Sequence, residues 1–348
     1  MNKDKLNFYF GTKGCPSKYD SMNFKQLLKG ILRADYFEED KQDYLQAFQN
    51  KFSNMLGIPT IRLSMEPIFD TGIFSARDTK KRIQNVKIKI DPYSDLAEMI
   101  FVVPHEVKHS QQAYDLHKFF NYNIVPKDDL SKAILLSNIL ENVSENYVKN
   151  LEYHSKIEEL DARIFAINQM YNLMHKYPIY GNFDFNLHLR EQLFVLLHGL
   201  RYNYEGTENQ EIKKSMQNLK TGIKSALYGE FGEKCKGFVT EILNSGFNIE
   251  RAYTSITKNL NTYCAWIVLE NHSFNKLGAT MILLANNGDL NYAPKENYSY
   301  SESVIADESI DPYSEYGEYI KKYACTDNGE YEQLLESFAE EARNCKSI

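Results

Sequence analysis

The chain has 348 residues, 43% of them hydrophobic and 25% charged, with a formal net charge of −7. That is enough apolar material to bury a core in one large domain or two ordinary ones, and an acidic chain without any lysine or arginine run lacks the electrostatic footprint of a nucleic-acid binder. No apolar run is long enough to span a bilayer and no apolar signal segment follows MNKDKLNFYFGTKG, so the sequence predicts a cytoplasmic protein without a membrane partner. The five cysteines, Cys15, Cys235, Cys264, Cys325 and Cys345, are odd in number and never paired as C-x-x-C, which indicates neither a disulfide framework nor a thiolate metal site.

Residues 22–55 place Leu27, Leu28, Ile31 and Leu32, then Tyr44, Leu45, Phe48 and Phe52, at three- and four-residue spacing, which predicts helix. Gly57-Ile58-Pro59 ends that texture, and β-rich runs follow at 60–64, 72–76 and 86–90. The last, Val86-Lys87-Ile88-Lys89-Ile90, alternates apolar and charged residues, as expected of a small sheet with one wet face. Arg77, Asp78, Lys80, Lys81 and Arg82 form the expected hairpin tip. Asp91-Pro92-Tyr93-Ser94-Asp95 then supplies a turn and a cap for a helix from about Asp95 to Leu116. Pro104 falls inside that helix and is expected to kink or split it, because proline has no N–H and its ring clashes with the preceding turn. From Asp129 on, helical spacing recurs at 130–151, 156–176, 186–203, 209–228, 233–245, 249–270 and 274–286. Residues 290–317 are polar and rich in Tyr, Ser, Glu and Asp, predicting an irregular connection before a last helix near 329–344.

The chemistry concentrates in Phe101-Val102-Val103-Pro104-His105-Glu106-Val107-Lys108-His109-Ser110-Gln111-Gln112. On a helix, residues i and i+4 stand one above the other, so His105 and His109 can aim two imidazoles at one metal ion. Glu106 is rotated by about 100° from His105, which keeps it out of the ligand set but near a metal-bound water, the place of a general base. A third ligand has to come from elsewhere, and two segments offer one. In Ile157-Glu158-Glu159-Leu160-Asp161-Ala162-Arg163-Ile164-Phe165-Ala166, Glu159 shares a helix face with Ala162, Arg163 and Ala166, and the small alanines permit close approach to the histidine helix. Asp161 points away from Glu159 on that helix. In the last helix Glu336 and Glu340 are also four apart, beyond a loop of more than 200 residues. Glu159 is the expected third ligand, with Glu336 the alternative.

Taken together, Gly72-Ile73-Phe74, Val86 to Ile90, His105 to Gln112 and Tyr153 to Ala166 resemble the zincin-like metallopeptidases of bacteria and phages, in the gluzincin arrangement. The resemblance covers about residues 58–168 and departs from the pattern in Pro104, directly before the first histidine, and in the long segment 117–152 between the two helices. It implies Zn2+ held by His105, His109 and Glu159, with Glu106 as catalytic base in an endopeptidase. Tyr153, just ahead of the third-ligand helix, is the candidate for stabilising the oxyanion. The implied fold is α+β, a small mostly antiparallel sheet packed on the HExxH helix and followed by a largely helical C-terminal region. The expected organisation is a zincin-like domain over 1–178, a helical region over 179–290, and an acidic connection with a terminal helix over 291–348. The expected partner is a protein or peptide substrate, whose extended main chain would pair with residues 72–77 or 86–90. The alternative is a non-proteolytic protein on the same scaffold, whose helical region 179–290 recognises a partner.

Overall fold

A computed structural model describes residues 15–34, 39–68, 72–79, 82–94, 96–143, 153–176 and 210–272, together with the single positions 147, 192, 196 and 200. The chain divides into two compact units. The first takes in Met1–Asn150, Lys156–Phe185 and Asn218–Ala252, and the second takes in Leu151–Ser155, Asn186–Gln217 and Tyr253–Ile348. The predicted helices at 186–203, 274–286 and 329–344 and the connection 290–317 lie wholly or mostly outside the described residues.

The first unit opens with helices α1 (Phe24–Arg33) and α2 (Glu39–Met55), where the sequence predicted one long helical stretch. Asn23 and Gln26 cap α1 reciprocally, each side chain taking the other's backbone N–H, which fixes the helix start. Leu27, Leu28 and Ile31 of α1 and Leu45, Phe48 and Phe52 of α2 are buried, as their spacing requires. Phe52 also meets Phe165 edge to face at 6.3 Å between ring centres.

Three strands follow, β1 (Arg62–Met65), β2 (Gly72–Thr79) and β3 (Arg82–Ile90), in the order β1-β3-β2. β2 and β3 form an antiparallel hairpin reaching from Gly72↔Ile90 to Thr79↔Arg82, and β1 runs parallel to β3 from Arg62↔Lys87 to Met65↔Ile90. The sheet is therefore mixed where the sequence suggested a mostly antiparallel one, because the hairpin occupies only one edge of β3 and β1 enters beside the other. Along β3 the expected alternation holds: Ile88 and Ile90 are buried, while Lys87 and Lys89 turn outward and both reach Glu66, at 2.6 Å and 2.7 Å. This topology removes 86–90 as a strand that could pair with a substrate, since β3 is bonded on both sides.

The two outer edges differ. Gln46 of α2 donates Nε2 to the Ile61 carbonyl at 2.7 Å and accepts the Leu63 N–H at 2.7 Å, while Gln42 accepts the Met65 N–H at 3.3 Å. Two side-chain amides thus satisfy the edge of β1 as a neighbouring strand would, answering the demand of buried peptide groups for partners. β2 forms the other edge.

Helix α3 (Leu96–Tyr122) passes through Pro104 without a break and runs six residues beyond Leu116. An interior proline costs a helix roughly 3 kcal/mol. Met99, Ile100, Phe101, Val102, Val103 and Val107 are all buried around it, and burial of one such side chain stabilises by about 1.5–3 kcal/mol. Packing therefore outweighs the missing hydrogen bond. α3 ends at Asn123, in the left-handed region at φ 59°, with its N–H bonded to the Phe119 carbonyl.

The segment between the two candidate metal helices contains α4 (Asp129–Val143), whose positions Ala133 to Ile139 and Leu140 are almost all buried. α5 (Ile157–Lys176) packs against both α3 and α4. In the C-terminal half, α6 (Gln210–Leu227), α7 (Glu233–Asn244) and α8 (Ile249–His272) match the predicted spans closely. α7 joins the first unit by packing Phe238 on Phe119 and Phe120 of α3, and Lys132 of α4 donates to the Ser245 carbonyl at its end. In the second unit Ser215 and Tyr253 share a buried hydrogen bond of 2.9 Å. Among the described residues no helix is long and apolar enough to cross a membrane.

Candidate metal centre

His105 and His109 stand one turn apart on α3, and Glu159 lies in the first turn of α5, whose small Ala162 and Ala166 are completely buried. Their donor atoms converge. The two Nε2 atoms are 3.1 Å apart, His105 Nε2 is 3.6 Å from Glu159 Oε2, and His109 Nε2 is 3.4 Å from Glu159 Oε1. Metal–ligand bonds of about 2.0–2.1 Å at tetrahedral angles separate neighbouring ligand atoms by about 3.4 Å, so this spacing matches what one small divalent ion requires. Among the described residues these three form a group able to hold a metal ion.

The hydrogen bonds behind His109 fix which of its nitrogens faces inward with a lone pair. Gln112 donates Nε2 to the Glu158 carbonyl at 2.9 Å and to Asp161 Oδ2 at 3.0 Å. Those two acceptors fix the orientation of its amide, so its Oε1, 2.9 Å from His109 Nδ1, must accept. Neutral His109 consequently carries its proton on Nδ1 and presents a bare Nε2 to His105. Two imidazole nitrogens and a carboxylate at these distances repel unless a cation or a proton lies among them, and the donor set fits a metal.

The electrostatics agree. Burial pushes the His105 imidazole well below its ordinary pKa, with the His109 charge adding to the effect, so it stays neutral, the form that ligates. Burial acts the same way on His109. There the Glu159 hydrogen bond, with the Glu159 and Glu106 charges, prevails and raises it to about 9. One positive charge is what the pocket favours.

Glu106 is 6% exposed and its Oε1 lies 4.0 Å from His105 Nε2, beside the converging atoms and outside the trio. β2 reaches it directly. A Cβ on Gly72 would collide with Val102 Cγ1 and come within 3.5 Å of Glu106 Cγ, so only glycine lets the strand approach the helix this closely here.

Five further residues form a supporting layer that the sequence did not assign. Asp161 receives Gln112 and also pairs with Lys108 Nζ at 3.3 Å. Expected to point away from Glu159, it nevertheless meets the same helix α3, beside His109's partner Gln112. Glu158 is buried, accepts from Ser137 Oγ of α4 at 3.3 Å, and is pushed up to about 7 by burial. The signal for Gln112 was present in its place three residues after His109, one turn along the same face.

Tyr153 stands on a 3-10 turn, Tyr153–Ser155, is 52% exposed and falls in the second unit. Glu336 and Glu340 lie outside the described residues. No protein family, curated protein or solved structure matches the chain.

Proposed function

We propose that the chain is a zinc-dependent metallopeptidase on a zincin-like scaffold, with His105, His109 and Glu159 as ligands and Glu106 as general base. The observation that carries it is the convergence of two imidazole Nε2 atoms and one carboxylate, with a second buried carboxylate directly alongside. Zinc held by these residues would supply Lewis acidity and lower the pKa of a bound water towards 7. Glu106 Oε1 takes the proton of the attacking water and returns it to the leaving amine. Gln112 holds His109 in the ligating tautomer, and Asp161 holds Gln112.

Substrate binding follows from the sheet. Because Gln42 and Gln46 cover the edge of β1, β2 is the edge left among the described residues for an extended peptide main chain, and Gly72 sets the start of that strand beside Glu106. Side-chain choice then rests with whatever flanks the cleaved bond.

Metal analysis and peptide hydrolysis, run together, test the proposal. The expected result is one zinc per chain, lost in His105→Ala, and hydrolysis that Glu106→Gln reduces by about 10²–10⁴-fold with zinc still bound. Absence of zinc, or zinc unchanged in His105→Ala, would refute the metal assignment. Zinc bound without hydrolysis of any peptide would favour the partner-binding alternative.

A further inference from the structure

One cation beside the centre has no role in the proposed mechanism. Arg163 follows Glu159 by four residues on α5, so both project from one helix face. It is half-buried. Its Nε is buried without a hydrogen-bond partner, and among the described residues no ion pair includes it. The neighbouring cation is different: Lys108 is closed off by Asp161 and Gln111.

A guanidinium drawn partly out of water without an acceptor is unfavourable. Its Nε edge is one of the two-pronged faces that fit a carboxylate side-on.

We propose that Arg163 binds a substrate carboxylate next to the metal centre, making peptides with an acidic group beside the cleaved bond the substrate class. This rests on the metallopeptidase reading and narrows it. The carboxylate comes from an acidic side chain or from the peptide's own C-terminus, and the test separates the two.

The full chain carrying Glu106→Gln, in buffer with one equivalent of zinc, is titrated calorimetrically with three peptides: Ala-Ala-Ala with a free C-terminus, Ala-Ala-Ala amide, and Ala-Asp-Ala amide. A carboxylate-bearing peptide is expected to bind about tenfold to a hundredfold tighter than the neutral amide, the range of a charge-assisted hydrogen bond. Whichever of the two does so identifies the source. Adding Arg163→Gln should remove the difference without changing zinc content, and Arg163→Lys should keep part of it. Equal binding of all three peptides overturns the proposal, as does discrimination that survives Arg163→Gln. Failure of the metallopeptidase reading is read separately, as missing zinc or missing hydrolysis in the parent chain.

Discussion

Gln112→Leu isolates the support of the metal site from the ligands themselves. The side chain is buried and makes three hydrogen bonds, to His109 Nδ1 at 2.9 Å, the Glu158 carbonyl at 2.9 Å and Asp161 Oδ2 at 3.0 Å. Two are bonds between neutral groups worth about 1 kcal/mol each and one is to a carboxylate, worth about 1.5–3 kcal/mol. Asp161 keeps Lys108 at 3.3 Å, so the loss lies near the lower end, about 3.5 kcal/mol in a denaturant titration. The free His109 ring can then place its proton on Nε2, and zinc affinity should fall by about 10–100-fold. Stoichiometry stays at one, because no ligand is removed. Gln112→Glu is the informative partner: it keeps an acceptor for His109 while setting a carboxylate against Asp161. It should therefore lower stability yet hold zinc more tightly than Gln112→Leu, as measured by competition with a chromophoric chelator. Wild-type zinc affinity in a folded Gln112→Leu chain would refute the tautomer reasoning, and so would equal affinities in the two variants.

Glu159→Ala should lower zinc affinity by orders of magnitude whereas Glu336→Ala leaves zinc content at one per chain; the reverse result would move the third ligand to the C-terminal helix. Glu66 is held down to about 2 first by Lys87 and then by Lys89 and Ser64. A carboxyl lowered in the folded state contributes stability that is present above its ordinary value of 4.5 and is lost as pH falls towards 2. About a third of that side chain is exposed, so solvent screening holds the contribution below about 1 kcal/mol, and Glu66→Gln should flatten the acid limb of the stability profile by no more than that. Gln46→Leu should destabilise by about 2–3 kcal/mol in chemical denaturation, since it strands the Leu63 N–H and the Ile61 carbonyl at a buried edge. A neutral outcome there would mean that water can satisfy the β1 edge.

The parts of the site that were legible in sequence are those fixed by local geometry. His105 and His109 meet because i and i+4 always do, and Glu159 could be picked from its alanine-lined face. Support for those ligands could not be read, because it depends on how α5 packs against α3: Asp161 finds Lys108 and Gln112 only through that contact. The same limit applies to the sheet. Alternation along Val86–Ile90 showed which side chains are buried, but not that β1 would enter parallel, nor that Gln46 would stand in for a strand. Pro104 is a case where a local rule was overridden, since a helix packed on every side around Val102 and Val103 has more to lose by breaking than one hydrogen bond.

That override bears on how the centre is held. His105 follows Pro104 directly, and the buried run Met99–Val103 anchors the turn that carries it, while His109 is held from the other side by Gln112 and the first turn of α5. The two imidazoles are thus fixed by different means, one by apolar packing and one by a polar network. Substitutions on the apolar side, such as Val103→Ala, should therefore lower global stability and zinc affinity together, whereas those at Gln112 lower zinc affinity beyond what their stability loss accounts for. A series of such variants plotted as zinc affinity against unfolding free energy should fall on two lines. A single line would mean that the site responds only to the integrity of α3.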